Sequence, residues 1–428
     1  MAARTALLVT SAVLLAALVV VLAVTTPWRP LPAEGRAASA DVTRDFTADE
    51  IAREEAYHSA VRPPAYASLL VGLGVALLLG LSPLGSRLVA AAAAAFGGGW
   101  GWRVLLGAIA LTAVGRLAAL PLDAWTESVR RRYGLSTRTW LGWLADVGKS
   151  YGVGLVLTLI VLFGIVLLVR WAGPWWWTWG AAAGALLVVV VSFAYPVVVE
   201  PVFNRFTSLP SGELRTSLLQ MAESDGVPAR DVLVADASRR TSAVNAYVSG
   251  FGATRRIVVY DTLLDRASPD EVRLVVAHEL GHARNRDVLW GTLMGALGVA
   301  VAVCALAWAL RWGALLRRAG VDGPGDPRVI ALLLAVVAVL VAVSGPVQAL
   351  VSRRIEARAD VHALDLTRDP AAFAQMQRRL AVSNLSDLDP SPLVFGLFST
   401  HPTAPQRIRL ARDWARLHGL PEPPSMTR

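Results

Sequence analysis

The sequence predicts a mainly α-helical integral membrane protein with seven transmembrane helices, and two observations lead to that prediction. Of the 428 residues, 55% are hydrophobic and only 17% are charged, whereas a soluble domain carries about 25% charged residues. In addition, apolar runs long enough to cross roughly 30 Å of hydrocarbon as a helix recur along the chain. These runs are residues 6–27, 66–84, 103–122, 152–170, 178–199, 288–310 and 329–350.

The first run could serve as a cleaved signal peptide or as an uncleaved anchor. Ala38-Ser39-Ala40 has the small-residue pattern of a cleavage site. However, the apolar stretch is longer than the core of a signal peptide, and the pattern lies well beyond its end. We therefore expect residues 6–27 to remain in the protein as a signal-anchor helix.

The placement of charge predicts the orientation in the membrane. With seven spans, segments 28–65, 123–151 and 200–287 share one side with the C-terminal tail, and together they hold most of the arginines and the one lysine, Lys149. The positive-inside rule therefore puts the N-terminus outside and these segments in the cytoplasm. The net charge of +9 reflects this topology. We see no basic soluble module, so no nucleic-acid partner is expected.

The composition also bears on redox chemistry and source. Cys304 is the only cysteine and lies in the sixth apolar run, which excludes intrachain disulfides and cysteine metal sites. Arginine greatly outnumbers lysine and alanine is abundant, a bias typical of high-GC bacterial genomes. We therefore expect a bacterial plasma-membrane protein.

The polar segments on the cytoplasmic side predict one α+β domain that the membrane spans divide. Its first part contains an amphipathic helix and three strand-like runs, at residues 211–225, 232–235, 243–248 and 257–260. The predicted organisation is a membrane region with five spans, a first domain part, a membrane hairpin and a second domain part. These cover residues 1–200, 201–287, 288–350 and 351–428.

The motif His278-Glu279-Leu280-Gly281-His282 lies in a segment that reads as helix from its start. Ser268 is a candidate N-cap, Pro269 fits the first helical position, and Glu271 completes a capping box. Two histidines four residues apart lie on one helix face, so both imidazoles can bind one metal ion while the intervening glutamate stays beside it. The segment predicts a hydrolytic zinc site in a zincin-like catalytic domain.

A hydrolytic zinc site needs a third protein ligand and one open position. A histidine six residues after His282 would serve, but position 288 is valine. Glu356 is the favoured candidate because it follows a hairpin that returns the chain to the same side. Asp360, one turn further, is the candidate carboxylate behind a ligand histidine. His362 would fall on another face of that helix and is the weaker ligand candidate.

Several motifs together resemble the type I CAAX prenyl proteases, a family of multi-span membrane zinc endopeptidases. The resemblance covers about residues 100–412. It is carried, besides the histidine motif, by the segment E-P-V-F-N-R-F-T at 200–207, Asn245-Ala246-Tyr247, the E-x-x-x-D of Glu356 and Asp360, and the H-P-x-x-x-x-R of His401 and Arg407. The chain departs from the family at Arg130-Arg131-Arg132, where the family usually has an acidic-basic-histidine run.

The resemblance implies the roles of the site residues. One Zn²⁺ per chain would be held by His278, His282 and Glu356, with Glu279 as the general base and Asp360 behind the ligands. His401 would donate to the oxyanion, and Arg407 would orient His401 or the substrate. Asn245, Ala246 and Tyr247 would form the edge strand beside a bound peptide.

Two alternatives remain open at this point. A seven-span transporter or receptor-like protein could use the histidines as a structural metal site, but charges within the spans, which mark transport paths, are sparse: Arg116, Asp123 and Glu200. A membrane quality-control zinc protease of the heat-shock type would share the chemistry, although such proteases are shorter and have fewer spans. The expected partners are a peptide or protein substrate and the lipid bilayer.

Overall fold

The computed structural model describes residues 2–31, 40–250 and 255–427, so Ala38 and Ser39 of the candidate cleavage pattern lie outside it. Long helices dominate the first half of the chain. They are α1 (Ala2–Thr25), α2 (Ala48–Gly80), α3 (Pro83–Ala94), α4 (Trp100–Arg132), α5 (Trp140–Ala172) and α6 (Trp176–Ala194). In the second half, α11 (Asp287–Ala309) and α13 (Ile330–Thr367) have the same character, and α12 (Gly313–Arg318) lies between them.

Six helical segments among the described residues are long and apolar enough to cross a membrane. One of them, Trp140–Phe203, contains both α5 and α6. The chain reverses within it at Gly173, whose φ is +52°. Lys149 Nζ, near the start of α5, donates to the carbonyl of Val202, near the end of the segment, at 3.0 Å. The segment is therefore a helical hairpin.

The helices differ from the predicted apolar runs at several ends. The loop expected at 28–65 is wrong in part, because α2 begins at Ala48 with a capping box formed by Thr47 and Glu50. Of the expected loop 123–151, only residues 133–139 lie outside helices. Amphipathic sequence continues these helices where the apolar run stops, and hydrophobicity alone gives no signal for it.

Two further boundaries are set by local signals. The predicted run 66–84 is divided, because Ser82 caps a new helix and Pro83 occupies its first turn. The expected boundary between residues 350 and 351 falls inside α13, which continues without a break from the membrane hairpin into the second domain part. One continuous helix, with Pro346 in its interior, therefore joins the membrane region to the catalytic half.

The remaining elements form the α+β half of the molecule. Its strands are β1 (Phe206–Ser208), β2 (Asp231–Ala235), β3 (Ala246–Ser249) and β4 (Arg256–Tyr260), in the sheet order β1-β2-β4-β3. β2 and β4 are parallel, and the other two pairs are antiparallel. Three of the strands fall on the predicted runs, whereas the three-residue β1 was not predicted. β3 lies at one edge of the sheet.

Helices cover this sheet and complete the domain. They are α8 (Glu213–Ser224), α9 (Asp261–Arg266), α10 (Pro269–Arg284), α14 (Pro370–Asn384), α15 (Pro392–Phe398) and α16 (Ala404–Leu417), with a short α7 (Glu200–Phe203) before the sheet. The predicted start of α10 is confirmed: Ser268 and Glu271 form a capping box with proline in the first turn. Val272, Val275, Val276 and Leu280 recur at helical spacing on α10 and are all buried, so they form its core face.

Candidate active site

The two halves of the site lie on α10 and α13, which pack against each other. Nε2 of His278 and Nε2 of His282 are 3.3 Å apart. The Glu356 carboxylate reaches both rings, with Oε2 at 3.2 Å from Nε2 of His278 and Oε1 at 3.6 Å from Nε2 of His282. The structure thus brings Glu356 next to two histidines that precede it by more than seventy residues in the sequence.

The spacing and chemistry of these donors fit a zinc ion. Nitrogen and oxygen ligands at about 2.0–2.2 Å in a tetrahedral shell lie roughly 3.3 Å from one another. The three observed separations cluster around that value. Two neutral imidazoles and one carboxylate form a donor set typical of catalytic zinc sites, which keep a fourth position free.

Asp360 lies behind His278 and is itself held by Arg407. Oδ1 of Asp360 is 2.9 Å from Nδ1 of His278, so the imidazole turns its Nε2 towards Glu356. Arg407 grips both carboxylate oxygens, with its Nε donating to Oδ2 at 2.8 Å. Asp360 is fully buried. This arrangement fixes the tautomer and rotation of a ligand histidine.

Arg407 contacts the carboxylate of Asp360, and its expected role towards His401 or the substrate stays a prediction. We expected its guanidinium to orient His401 or the substrate. Its polar contacts run to Asp360 and to His278, whose Nδ1 lies 3.3 Å from an Arg407 nitrogen. The guanidinium of Arg407 thus holds the Asp360 carboxylate, which in turn contacts His278.

His282 has its own supporting carboxylate, which sequence reasoning missed. Oδ2 of Asp287 is 2.9 Å from Nδ1 of His282, and Arg358 pairs with the other oxygen of Asp287. Asp287 is the first residue of α11, just after a turn in which Arg286 has a φ of +57°. A carboxylate five residues after the second histidine was visible in the sequence, but its approach depends on that left-handed turn.

The carboxylates around His278 favour a positive charge on its imidazole ring. Burial opposes protonation of His278, but hydrogen bonds to Asp360 and Glu356 outweigh it and raise its pKa to about 10. Burial also raises the pKa of Glu279 above the usual range, while His278 and His282 offset part of the shift. Glu279 clusters with both histidines and carries a carboxyl whose proton affinity is increased.

His401 enters the site from the loop between α15 and α16. Its Nε2 lies 3.4 Å from Oε2 of Glu356, although 58% of its side chain is exposed. The Thr400 hydroxyl contacts its Nδ1 at 3.0 Å. A hydroxyl that donates to Nδ1 leaves the proton on Nε2, the nitrogen that faces the ligand cluster.

The predicted peptide strand is an edge strand. Ala246 and Tyr247 belong to β3, and Asn245 immediately precedes it, with an exposed side chain. β3 pairs with β4 on one side and packs near α10. The Tyr247 hydroxyl donates to Glu200 at 3.2 Å, which ties the strand to the end of the α5–α6 segment. An edge strand can pair with an extended peptide.

His362, the weaker ligand candidate, is occupied elsewhere. Its Nε2 lies 3.0 Å from Oδ2 of Asp225, at the end of α8. Its Cβ packs against the backbone at Gly281, where an added Cβ would meet it at 3.0 Å. His362 therefore fastens α8 to the rear of the two ligand helices.

Comparison with known families gives two matches that divide the chain. Residues 208–415 match peptidase family M48. Residues 35–205 match the N-terminal region of CAAX prenyl proteases, described as five membrane helices.

Similar proteins come from bacteria and eukaryotes. The chain is 34% identical over 305 residues to the Bacillus subtilis metalloprotease YhfN, covering 70% of this chain and 71% of the relative. It is 30% identical over 312 residues to a CAAX prenyl protease 1 homologue of Arabidopsis thaliana, covering 69% and 70%. The crystal structure of Ste24p from S. mikatae has the same fold, with a TM-score of 0.78, 21% identity and coverage of 95% and 98%.

Proposed function

The chain belongs to peptidase family M48, as a membrane metalloprotease of the CAAX-protease type, and on that premise we propose that it is a zinc endopeptidase. One observation carries the proposal. The nitrogen and oxygen donors of His278, His282 and Glu356 lie 3.2–3.6 Å apart, with Glu279 beside them.

The three donors would hold one Zn²⁺. The ion would lower the pKa of a water molecule towards about 7 and polarise the carbonyl of the scissile bond. Asp360 and Asp287 would each accept a hydrogen bond from Nδ1 of one histidine. The proton would then reside on Nδ1, and Nε2 would be left unprotonated and oriented towards the ion.

Glu279 would move the proton during hydrolysis. Its carboxylate accepts a proton from the attacking water and delivers it to the leaving amine. Burial raises the pKa of this carboxyl, which makes its carboxylate a stronger proton acceptor.

His401 and the edge strand would handle the substrate. The Nε2 proton of His401 would stabilise the negative charge that develops on the carbonyl oxygen. The outer edge of β3, with Asn245, Ala246 and Tyr247, would align the peptide through backbone pairing. We assign Arg407 a supporting role through Asp360, because its guanidinium donates to both oxygens of that carboxylate.

We further propose that the chain crosses the membrane seven times, with the N-terminus outside and the active site in the cytoplasm. The hairpin within Trp140–Phe203 supplies a seventh crossing beside five other membrane-length segments. The excess of arginine on the segments that share a side with the site supports this orientation. The arginine and alanine bias supports a bacterial plasma membrane.

Substitution of Glu279 by glutamine tests the hydrolytic function. In detergent or proteoliposomes, Glu279→Gln should retain its zinc while peptide cleavage falls by about 10²–10⁴-fold or more. Asp270→Asn is the matched control, because Asp270 lies on the same helix with an exposed carboxylate. Full cleavage by Glu279→Gln would reject the base assignment, and chelator-insensitive cleavage would reject the zinc site.

The substrate class needs a separate comparison. We propose a peptide or protein substrate, and three substrates separate the possibilities: a farnesylated C-A-A-X peptide, the same peptide without the lipid, and an unfolded membrane protein. Preference for the farnesylated peptide would support a CAAX protease activity. Preference for the unfolded protein would support quality control.

A further inference from the structure

His401 reaches the ligand cluster from a loop whose residues are exposed or half-buried. Its side chain is more than half exposed, yet its Nε2 stands 3.4 Å from the Glu356 carboxylate. Neither Ser399 nor Thr400 is buried. An exposed loop that must present a donor with sub-ångström accuracy needs supports outside itself.

The main support comes from Arg353, on the helix that carries Glu356. Its Nη1 donates to the carbonyl of Phe395 at 2.9 Å and also to the carbonyl of Ser399. Its guanidinium stacks on the Phe395 ring, with Cζ 4.5 Å from the ring centroid. Arg353 is buried, which is costly for a charged side chain unless its donors are used.

These contacts fall where α15 ends. Phe395 lies one turn before the end of α15 and Ser399 immediately follows it. The Phe395 carbonyl also accepts from the Ser399 N–H at 3.3 Å, so Arg353 adds a second donor to it and binds the Ser399 carbonyl just beyond the helix. A cation at that end also interacts favourably with the helix dipole. Arg353 thus caps the helix that leads directly into the His401 loop.

Two other contacts hold the flanks of the loop. The ring of Phe398 stacks on Tyr66 of α2, with centroids 5.0 Å apart. Thr403 and Gln406 form the capping box that starts α16. Between these flanks, Arg353 ties the loop to α13 three residues before Glu356. The loop is therefore anchored to the same helix that carries Glu356.

We propose that Arg353 is a positioning residue for His401, acting through the carbonyls of Phe395 and Ser399. The inference rests on the oxyanion role proposed for His401. Without the guanidinium, α15 and the loop would lose their fixed distance to α13, and the His401 Nε2 proton would no longer meet the carbonyl oxygen in the transition state. Substrate binding at the β3 edge would change little.

A double-mutant cycle tests the proposal. The variants are Arg353→Met, His401→Ala and their combination, assayed on one fluorogenic peptide under steady-state conditions with zinc content and Tm recorded for each. Arg354→Met is the matched control, because Arg354 is the neighbouring arginine on the same helix and is exposed. Arg353→Lys tests whether the planar, stacking guanidinium is required beyond the charge.

The proposal predicts that Arg353→Met lowers kcat by about 10–100-fold, since a misplacement of about 1 Å can cost that much, with KM changed less than about threefold. Zinc content should be unchanged, Arg353→Lys should recover only part of the activity, and Arg354→Met should behave as wild type. In the His401→Ala background the Arg353→Met effect should disappear, because the two residues act as one unit.

The outcomes separate the inference from the function on which it rests. If Arg353→Met costs the same factor with and without His401, or if it removes zinc, Arg353 supports the domain in general and the inference is overturned. If His401→Ala itself keeps full activity, the oxyanion role and the inference both fail, while the hydrolytic function continues to stand or fall with Glu279→Gln.

Discussion

The two ligand helices and the His401 loop approach the same cluster in opposite ways. On α10 and α13, His278 and Asp360 are buried, and each ligand histidine is backed by its own carboxylate and arginine. The loop instead leaves His401 more than half exposed and depends on contacts made by its neighbours. In the proposed mechanism the zinc ligands hold one fixed geometry, whereas the oxyanion donor contacts a substrate that binds and leaves. Burial would fix the ligands, and the contacts of Arg353 and Phe398 would fix the exposed loop.

The largest effect is expected from the removal of Glu356, the proposed zinc ligand on α13. Glu356→Ala should reduce bound zinc to a small fraction of the wild-type stoichiometry and activity to background, because two histidines alone leave the site short of a ligand. Metal analysis after dialysis and a peptide cleavage assay measure both. Arg354→Ala, exposed on the same helix, should change neither. Unchanged zinc in Glu356→Ala would refute the third ligand.

The corresponding removal on the loop side should leave the metal in place. His401→Ala should lower kcat by about 10²–10³-fold, the usual cost of one oxyanion donor. Zinc content should stay at the wild-type level, because the proposal assigns the ion to His278, His282 and Glu356 and gives His401 the role of a hydrogen-bond donor. The same metal analysis and kinetic assay apply. Loss of zinc in this variant would make His401 a ligand and remove the contrast between the two regions.

The carboxylates behind the ligands should have intermediate effects. Asp360→Asn should weaken zinc binding by about 10–100-fold, the range expected for such partners, as measured by chelator competition. Asp287→Asn should cost less, because the His282–Asp287 pair is more exposed than the His278–Asp360 pair. Asp360→Asn should also lower Tm, since Arg407 would lose the charge of its buried partner. Equal effects of the two substitutions would contradict this order.

The smallest expected effects come from two helix caps. Ser268 starts α10 and Thr403 starts α16, each in a capping box with a proline in the first turn. Ser268→Ala and Thr403→Ala should each lower the free energy of unfolding by about 1 kcal/mol. The two variants should therefore show similar decreases in Tm. Thr403→Ala alone should lower kcat as well, by several-fold, because Thr403 lies two residues after His401. Equal kinetic effects would mean that the loop does not depend on its flanking cap.

Much of the fold follows from local patterns. The apolar runs predicted the membrane helices because a helix crossing hydrocarbon needs an unbroken apolar surface. They did not predict how far α2, α4 and α5 continue past the apolar runs, since hydrophobicity alone does not mark a helix whose sequence has become polar. β1 was missed for a related reason. Three residues carry too little periodicity to mark a strand without the partner β2.

The start of α10 and the position of its two histidines on one face follow from the sequence alone, because these features depend on residues within about one helical turn. Sequence motifs also gave Glu356, Asp360 and His401 as candidates for the rest of the site. The contacts of Arg407 with Asp360, of Asp287 with His282 and of Arg353 with the His401 loop became visible only in the folded chain. Such contacts join segments that are distant in the sequence. They depend on how the helices pack, so no fixed spacing between residues predicts them.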